Sequence, residues 1–276
     1  MTMPSSPVLT DARFQTQMPQ DATGAPLAVQ GATMTVGGTL TATGVLFALI
    51  LAAGWFGWTQ VEQTTQPIRD ANGVPVISET GQQLYQNTTS FPAWLMLALL
   101  VGVGVGLVTA FMPKIARFTA PIYAIAYGMV LGAISAVYNQ SYNGIVVQAI
   151  GATLGVFFVM FLLYATRIVK VTPRFALMVI CATGGIALMY FVTWIAQLFG
   201  ADIAFWNEPS LLGIGISVVI VIVAALNLAL DFNFIETASQ QGAPKYMEWY
   251  GAFGVTVTIV WLYLEILRLL SLLRQS

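Results

Sequence analysis

Two carboxylates stand where an apolar chain has little reason to put them. Asp231 follows an apolar run in NLALDFNF, and Glu265 interrupts WLYLEILRLL. A charged side chain at the centre of a membrane helix costs about 2.5–3.5 kcal/mol on insertion scales, so an acid there is read first as functional. Each also has a plainer reading. Asp231 fits a carboxylate at the membrane interface. Glu265 fits an ion pair with Arg268, three residues on and so on the same helix face. Brought together away from water, the two acids could not both ionise cheaply; they would share a proton and titrate as a unit. Loss of that proton would leave an oxygen-rich site suited to a hard cation such as Ca²⁺. Asp231 and Glu265 are therefore the candidate ion-binding and pH-sensing residues, provided the fold makes them meet.

Composition decides the solvent. Of 276 residues, 58% are hydrophobic and only 8% charged, and the mean hydropathy is +0.81. A soluble domain carries about a quarter charged residues. This chain cannot cover a water-facing surface and belongs in a lipid bilayer. A net charge of −1 excludes broad attraction to nucleic acid. There is no histidine, which removes the commonest metal ligand and the usual neutral-pH proton shuttle. The single cysteine, Cys181, excludes a disulfide framework and reads as a small buried hydrophobe. There is no HExxH and no GxGD sequence, and an Asp with a Glu is not enough to argue hydrolysis. The chain is expected to be no enzyme and to need no cofactor; Ca²⁺ and H⁺ are the ions it would bind or pass.

The elements that must position the two acids follow from the apolar runs. Seven of these, roughly 36–58, 93–112, 119–138, 144–166, 174–199, 210–231 and 250–272, suffice or nearly suffice to cross about 30 Å of hydrocarbon as helices. Helices are the natural spanning form because the backbone finds no water inside lipid. The polar, Pro- and Ser-containing residues 1–33 lack the apolar core of a signal peptide and read as a disordered tail. A seven-helix domain then covers 34–276, with a long polar loop at 59–92 whose ANGVP sequence points to a small hairpin. Gly128–Gly132 and Gly151–Gly155 have GxxxG spacing, which reads as ordinary close helix packing.

Several of these segments together resemble a known family. LALDFNFIE followed by VWLYLEILRLLSLL is similar to the last two helices of the Bax inhibitor-1 family (transmembrane BAX inhibitor motif), in particular its bacterial, YccA-like members. PIYAIAYGMVLGAIS resembles that family's third helix, and the likeness extends over roughly residues 93–274. It implies an all-α, seven-transmembrane-helix bundle of the bacterial inner membrane. The implied function is a pH-sensitive calcium leak gated by a carboxylate pair between the sixth and seventh helices. Asp231 matches the first acid and Glu265 the second, which makes both candidate Ca²⁺ ligands. Lys114, or its neighbour Arg117, matches a basic latch onto the first acid. The chain departs from the family in having Glu as second acid and a longer spacer, SQQGAPKYMEWYGAFG, within which KYMEWYGAF reads as an interfacial helix. The alternative is a membrane interaction protein that modulates a membrane protease or another membrane complex.

Basic residues set the expected orientation. With the N-terminus cytoplasmic, the inner segments hold Arg13, Lys114, Arg117, Arg167, Lys170, Arg174 and Lys245, and the outer ones only Arg69, Arg268 and Arg274. An odd number of crossings then leaves the C-terminus outside; if the last segment re-enters instead, both ends are cytoplasmic. A cysteine probe at Asn72 should react with an impermeant label added outside, and one at Thr172 should not. The opposite pattern reverses the orientation.

Overall fold

The computed structural model describes residues 33–67, 74–77, 83, 85–90, 92–200 and 209–275. Apart from Thr33, the tail expected over 1–33 lies outside them. Seven helices follow in order: α1 (Val36–Thr59), α2 (Ala93–Phe111), α3 (Ala116–Ser141), α4 (Ile145–Ala165), α5 (Pro173–Leu198), α6 (Leu211–Gln240) and α7 (Met247–Gln275). All seven are long and apolar enough to cross a membrane. Between α1 and α2, strands β1 (Glu62–Pro67) and β2 (Tyr85–Ser90) pair antiparallel from Glu62↔Ser90 to Pro67↔Tyr85. This is the hairpin expected of the 59–92 loop, although Ala71–Gly73 of its ANGVP sequence fall outside the described residues.

The local chemistry of the helix ends is conventional. Thr172 caps α5 by accepting the Phe175 N–H at 3.2 Å, and Pro173 takes the first helical position. Ser210 caps α6 through the Gly213 N–H at 3.1 Å. Such caps satisfy amide donors that have no partner in the first turn. After α6, Gly242 adopts φ +69, a left-handed conformation that glycine takes without a Cβ penalty.

Two boundaries differ from the sequence expectation. The helix α6 does not stop at Asp231; it continues through FNFIETASQ to Gln240. The apolar run ends at the aspartate, but nothing there breaks a helix, and backbone hydrogen bonding continues until the glycine. In α7, KYMEWYGAF is no separate interfacial helix, since one uninterrupted helix runs from Met247 to Gln275. Cys181 is also exposed rather than buried. It lies on α5, where Val179 and Thr193 are buried while Leu177, Leu188, Phe191 and Trp194 are exposed. Such a surface suits lipid, not water.

The chain forms two compact units, residues up to Thr43 with Ala149 onward, and Gly44–Gln148. In the first, α7 is the inner helix, with Val255, Thr256, Ile259, Leu262 and Ile266 buried. The entry to α1 is strapped to the α6–α7 end. Met34 N–H donates to the Ala243 carbonyl at 2.7 Å. Glu248, buried, accepts from the Thr35 N–H and hydroxyl, both at 3.0 Å. The Tyr164 hydroxyl of α4 donates to Glu236 of α6, as does the guanidinium of Arg167 in the turn that follows α4. In the second unit α3 is the inner helix, and Gly132 lies against Gly54 of α1 so closely that a Cβ would run into the Gly54 carbonyl oxygen. The other GxxxG pair, Gly151 and Gly155, faces open space.

The two GxxxG pairs should therefore respond differently to substitution. Gly132→Ala forces α1 and α3 apart and should lower stability in detergent by about 1–3 kcal/mol, the usual penalty of overpacking. Gly151→Ala should change it by no more than about 0.5 kcal/mol. Thermal unfolding of both variants checks this.

Candidate functional site

The inner face of α6 and the inner helix α7 run side by side, and Asp231 lies between them, half-buried. α7 comes close because Gly254 has no side chain; a Cβ there would stand 3.4 Å from Asp231 Oδ1. One turn further along α7, the Thr258 hydroxyl donates to Asp231 Oδ2 at 2.6 Å. That short bond is the one hydrogen bond of the Asp231 side chain among the described residues.

Glu265 is held differently. It is only 5% exposed. The Tyr190 hydroxyl of α5 donates to its Oε1. The Arg268 guanidinium donates to Oε2 at 3.5 Å and to the Tyr190 hydroxyl oxygen at 3.0 Å. Tyr190 is donor to the acid and acceptor from the base, so the three side chains close a small network that ties α5 to α7. The plain reading of Glu265, an i,i+3 pair with Arg268, is thus present, with a tyrosine completing it.

The fold does not bring the two acids together. Glu265 is seven residues beyond Thr258 on α7, about two turns or roughly 10.5 Å along the axis. α6 runs antiparallel, with Ile235 at Gly251 and Asp231 at Gly254 and Thr258. Seven residues back from Asp231 is Ala224, fully buried, so a methyl group takes the level of Glu265 on the α6 side. The carboxylates present two separate oxygen sites with different partners, not one shared site. Among the described residues no three acidic or cysteine side chains cluster as a metal site. Lys114 lies in the 3-10 turn Pro113–Ile115 and Arg117 in the first turn of α3, both exposed and both in the Gly44–Gln148 unit. A cleft of about 800 Å³ beside α5 and α6 is lined by Ile186, Met189, Leu212, Ile216 and neighbouring apolar groups. It offers no convergent polar groups to orient a ligand.

Thr258 and Tyr190 are the residues that sequence reasoning missed. Thr258 lies on the same α7 face as Glu265, seven residues before it. That spacing was a usable signal, but threonines in membrane helices usually bond their own backbone and so attract little notice.

The Glu265 network yields a stability prediction. Arg268→Met leaves a buried acid with only the neutral donors Tyr190 and Trp261 and should destabilise the protein by about 3–5 kcal/mol. Glu265→Gln combined with Arg268→Met should recover most of that loss, because no uncompensated charge remains. Chemical or thermal unfolding in detergent distinguishes the two; equal losses would mean that the ion pair contributes only packing.

Sequence comparison agrees with this architecture over more of the chain than the resemblance first covered. The family described as Bax inhibitor 1 like matches residues 6–275. No curated protein matches the chain, and no solved structure does. A match over nearly the whole chain, together with seven spanning helices, places this protein in the Bax inhibitor-1-like family of multi-pass membrane proteins.

Proposed function

We propose that the protein is a pH-sensitive cation leak of the cell membrane, with calcium as the permeant ion. The observation that carries the reading is Asp231, an ionisable group set within a spanning helix and held by a single hydroxyl. Intramembrane acids are costly, and those that persist mark ion or proton pathways. The two acids do different work in this reading. Glu265 has Arg268 beside it, so its charge is already compensated and it anchors α5 to α7. Asp231 is the acid whose charge is free to vary and to attract a cation. Lys114, with Arg117 as its alternative, is the proposed basic latch that closes the leak by pairing with Asp231. The proposed N-terminus is cytoplasmic, as the distribution of Lys and Arg favours.

Purified protein in liposomes loaded with a calcium indicator tests the reading. Wild-type vesicles should show calcium entry that varies with pH. Asp231→Asn should make the flux the same at every pH. Glu265→Gln should lower stability but keep the pH dependence. Lys114→Ala or Arg117→Ala, whichever removes the latch, should raise the resting leak several-fold. Vesicles that pass no cation at any pH overturn the leak and favour a membrane interaction protein instead.

A further inference from the structure

Hydroxyls inside these helices follow a pattern, and Thr258 departs from it. Thr43, Thr109, Ser135, Thr153, Thr193 and Thr256 each donate to the carbonyl four residues back at 2.6–2.9 Å. This is how a hydroxyl is satisfied in lipid without a partner helix. Thr258 has the same option, the Gly254 carbonyl, but at 3.2 Å. Its shorter contact, at 2.6 Å, is Asp231 Oδ2. A hydroxyl has one hydrogen and can donate to only one of these acceptors at a time.

From this geometry we infer that Thr258 is the positioning residue that lets Asp231 hold or release a proton without breaking the α6–α7 contact. With Asp231 ionised, the Thr258 hydrogen goes to Oδ2. With Asp231 protonated, the new carboxyl O–H donates to Thr258 Oγ1, and the Thr258 hydrogen turns back to the Gly254 carbonyl. One proton enters, one hydroxyl rotates, and the Asp231–Thr258 bond persists in both states. No heavy atom need move. Neither a carboxylate nor an apolar residue at position 258 would do this: the first adds a second charge, and the second leaves both states without the bond.

Thr258 acts here without help from neighbouring charges. From α7, Asp231 is faced by Thr258 and Gly254; Glu265 and Arg268 lie seven and ten residues beyond Thr258, and Glu248 lies ten before it. From α5, Tyr190 is engaged with Glu265, and from α4, Tyr164 is engaged with Glu236. The exchange therefore belongs to one acid and one hydroxyl, and it rests on the proposed leak only for its flux readout.

The test compares Thr258→Val, which keeps the shape and removes the hydroxyl, with Thr258→Ser, which keeps the hydroxyl. Two readouts are taken on the full-length protein in liposomes: the pH dependence of calcium flux, and an infrared titration of the carboxyl band that disappears in Asp231→Asn. A hydrogen bond to a charged group is worth about 1.5–3 kcal/mol and a neutral one about 0.5–1.5 kcal/mol. Asp231 makes the first when ionised and the second when protonated, and the difference, about 1–1.5 kcal/mol, corresponds to about one pH unit. Thr258→Val should therefore raise both midpoints by about one pH unit, and Thr258→Ser should leave them near wild type. Serine shifting the midpoint as far as valine, or valine shifting neither, overturns the inference while leaving a pH-dependent leak intact. A shifted infrared midpoint in vesicles that pass no calcium upholds the inference and removes the leak.

Discussion

In hydrocarbon every polar hydrogen must find its partner within the chain, and most of this structure follows from that demand. Water is absent as an alternative donor or acceptor, so a lost hydrogen bond is not replaced. The helices satisfy their own backbones, and Thr43, Thr109, Ser135 and Thr153 fold back onto carbonyls four residues earlier. What remains are the acids. Each has been given a specific donor: Thr35 for Glu248, Thr258 for Asp231, and Tyr190 with Arg268 for Glu265. These donors come mostly from other helices, so the same bonds that satisfy the acids also hold the helices in place.

The demand also explains why α7 is the inner helix of its unit. It meets α6 along a face whose members recur every seven residues: Gly251, Thr258 and Glu265. The glycine allows close approach, the threonine meets an acid across the contact, and the glutamate reaches past a buried alanine to α5. Small residues rather than large apolar ones create such contacts, because lipid is as apolar as leucine and gives no hydrophobic drive for association. The same logic places Gly132 against Gly54 between α3 and α1.

How much of this could be read from the sequence depends on the kind of information involved. The seven spans were legible, since length and hydropathy are local properties that lipid enforces directly. The end of α6 was not, because an apolar run stops at its first charge whereas a helix stops where the backbone is broken. The i,i+3 pairing of Glu265 with Arg268 was legible for the same local reason. That Asp231 meets Thr258 rather than Glu265 depends on the register of two antiparallel helices, and no pattern within either helix fixes that register. Tyr190 was hidden for a related reason: a tyrosine in an apolar helix has many uses, and only the approach of α5 to α7 selects one.

The helix α5 shows what sparse attachment means in such a setting. Apart from a few buried residues, its surface is turned outward. Two polar fasteners join it to its neighbours: Thr183, which accepts from Asn227 of α6 at 2.8 Å, and Tyr190, which donates to Glu265 of α7. They lie seven residues apart, so they fall on one side of the helix and define a line nearly parallel to its axis. A rod held along such a line resists sliding and lifting at either pin, but swings about the line with little opposition, as a door does on two hinges. The lipid-facing edge of α5 is thus free to yield to changes in bilayer thickness or lateral pressure.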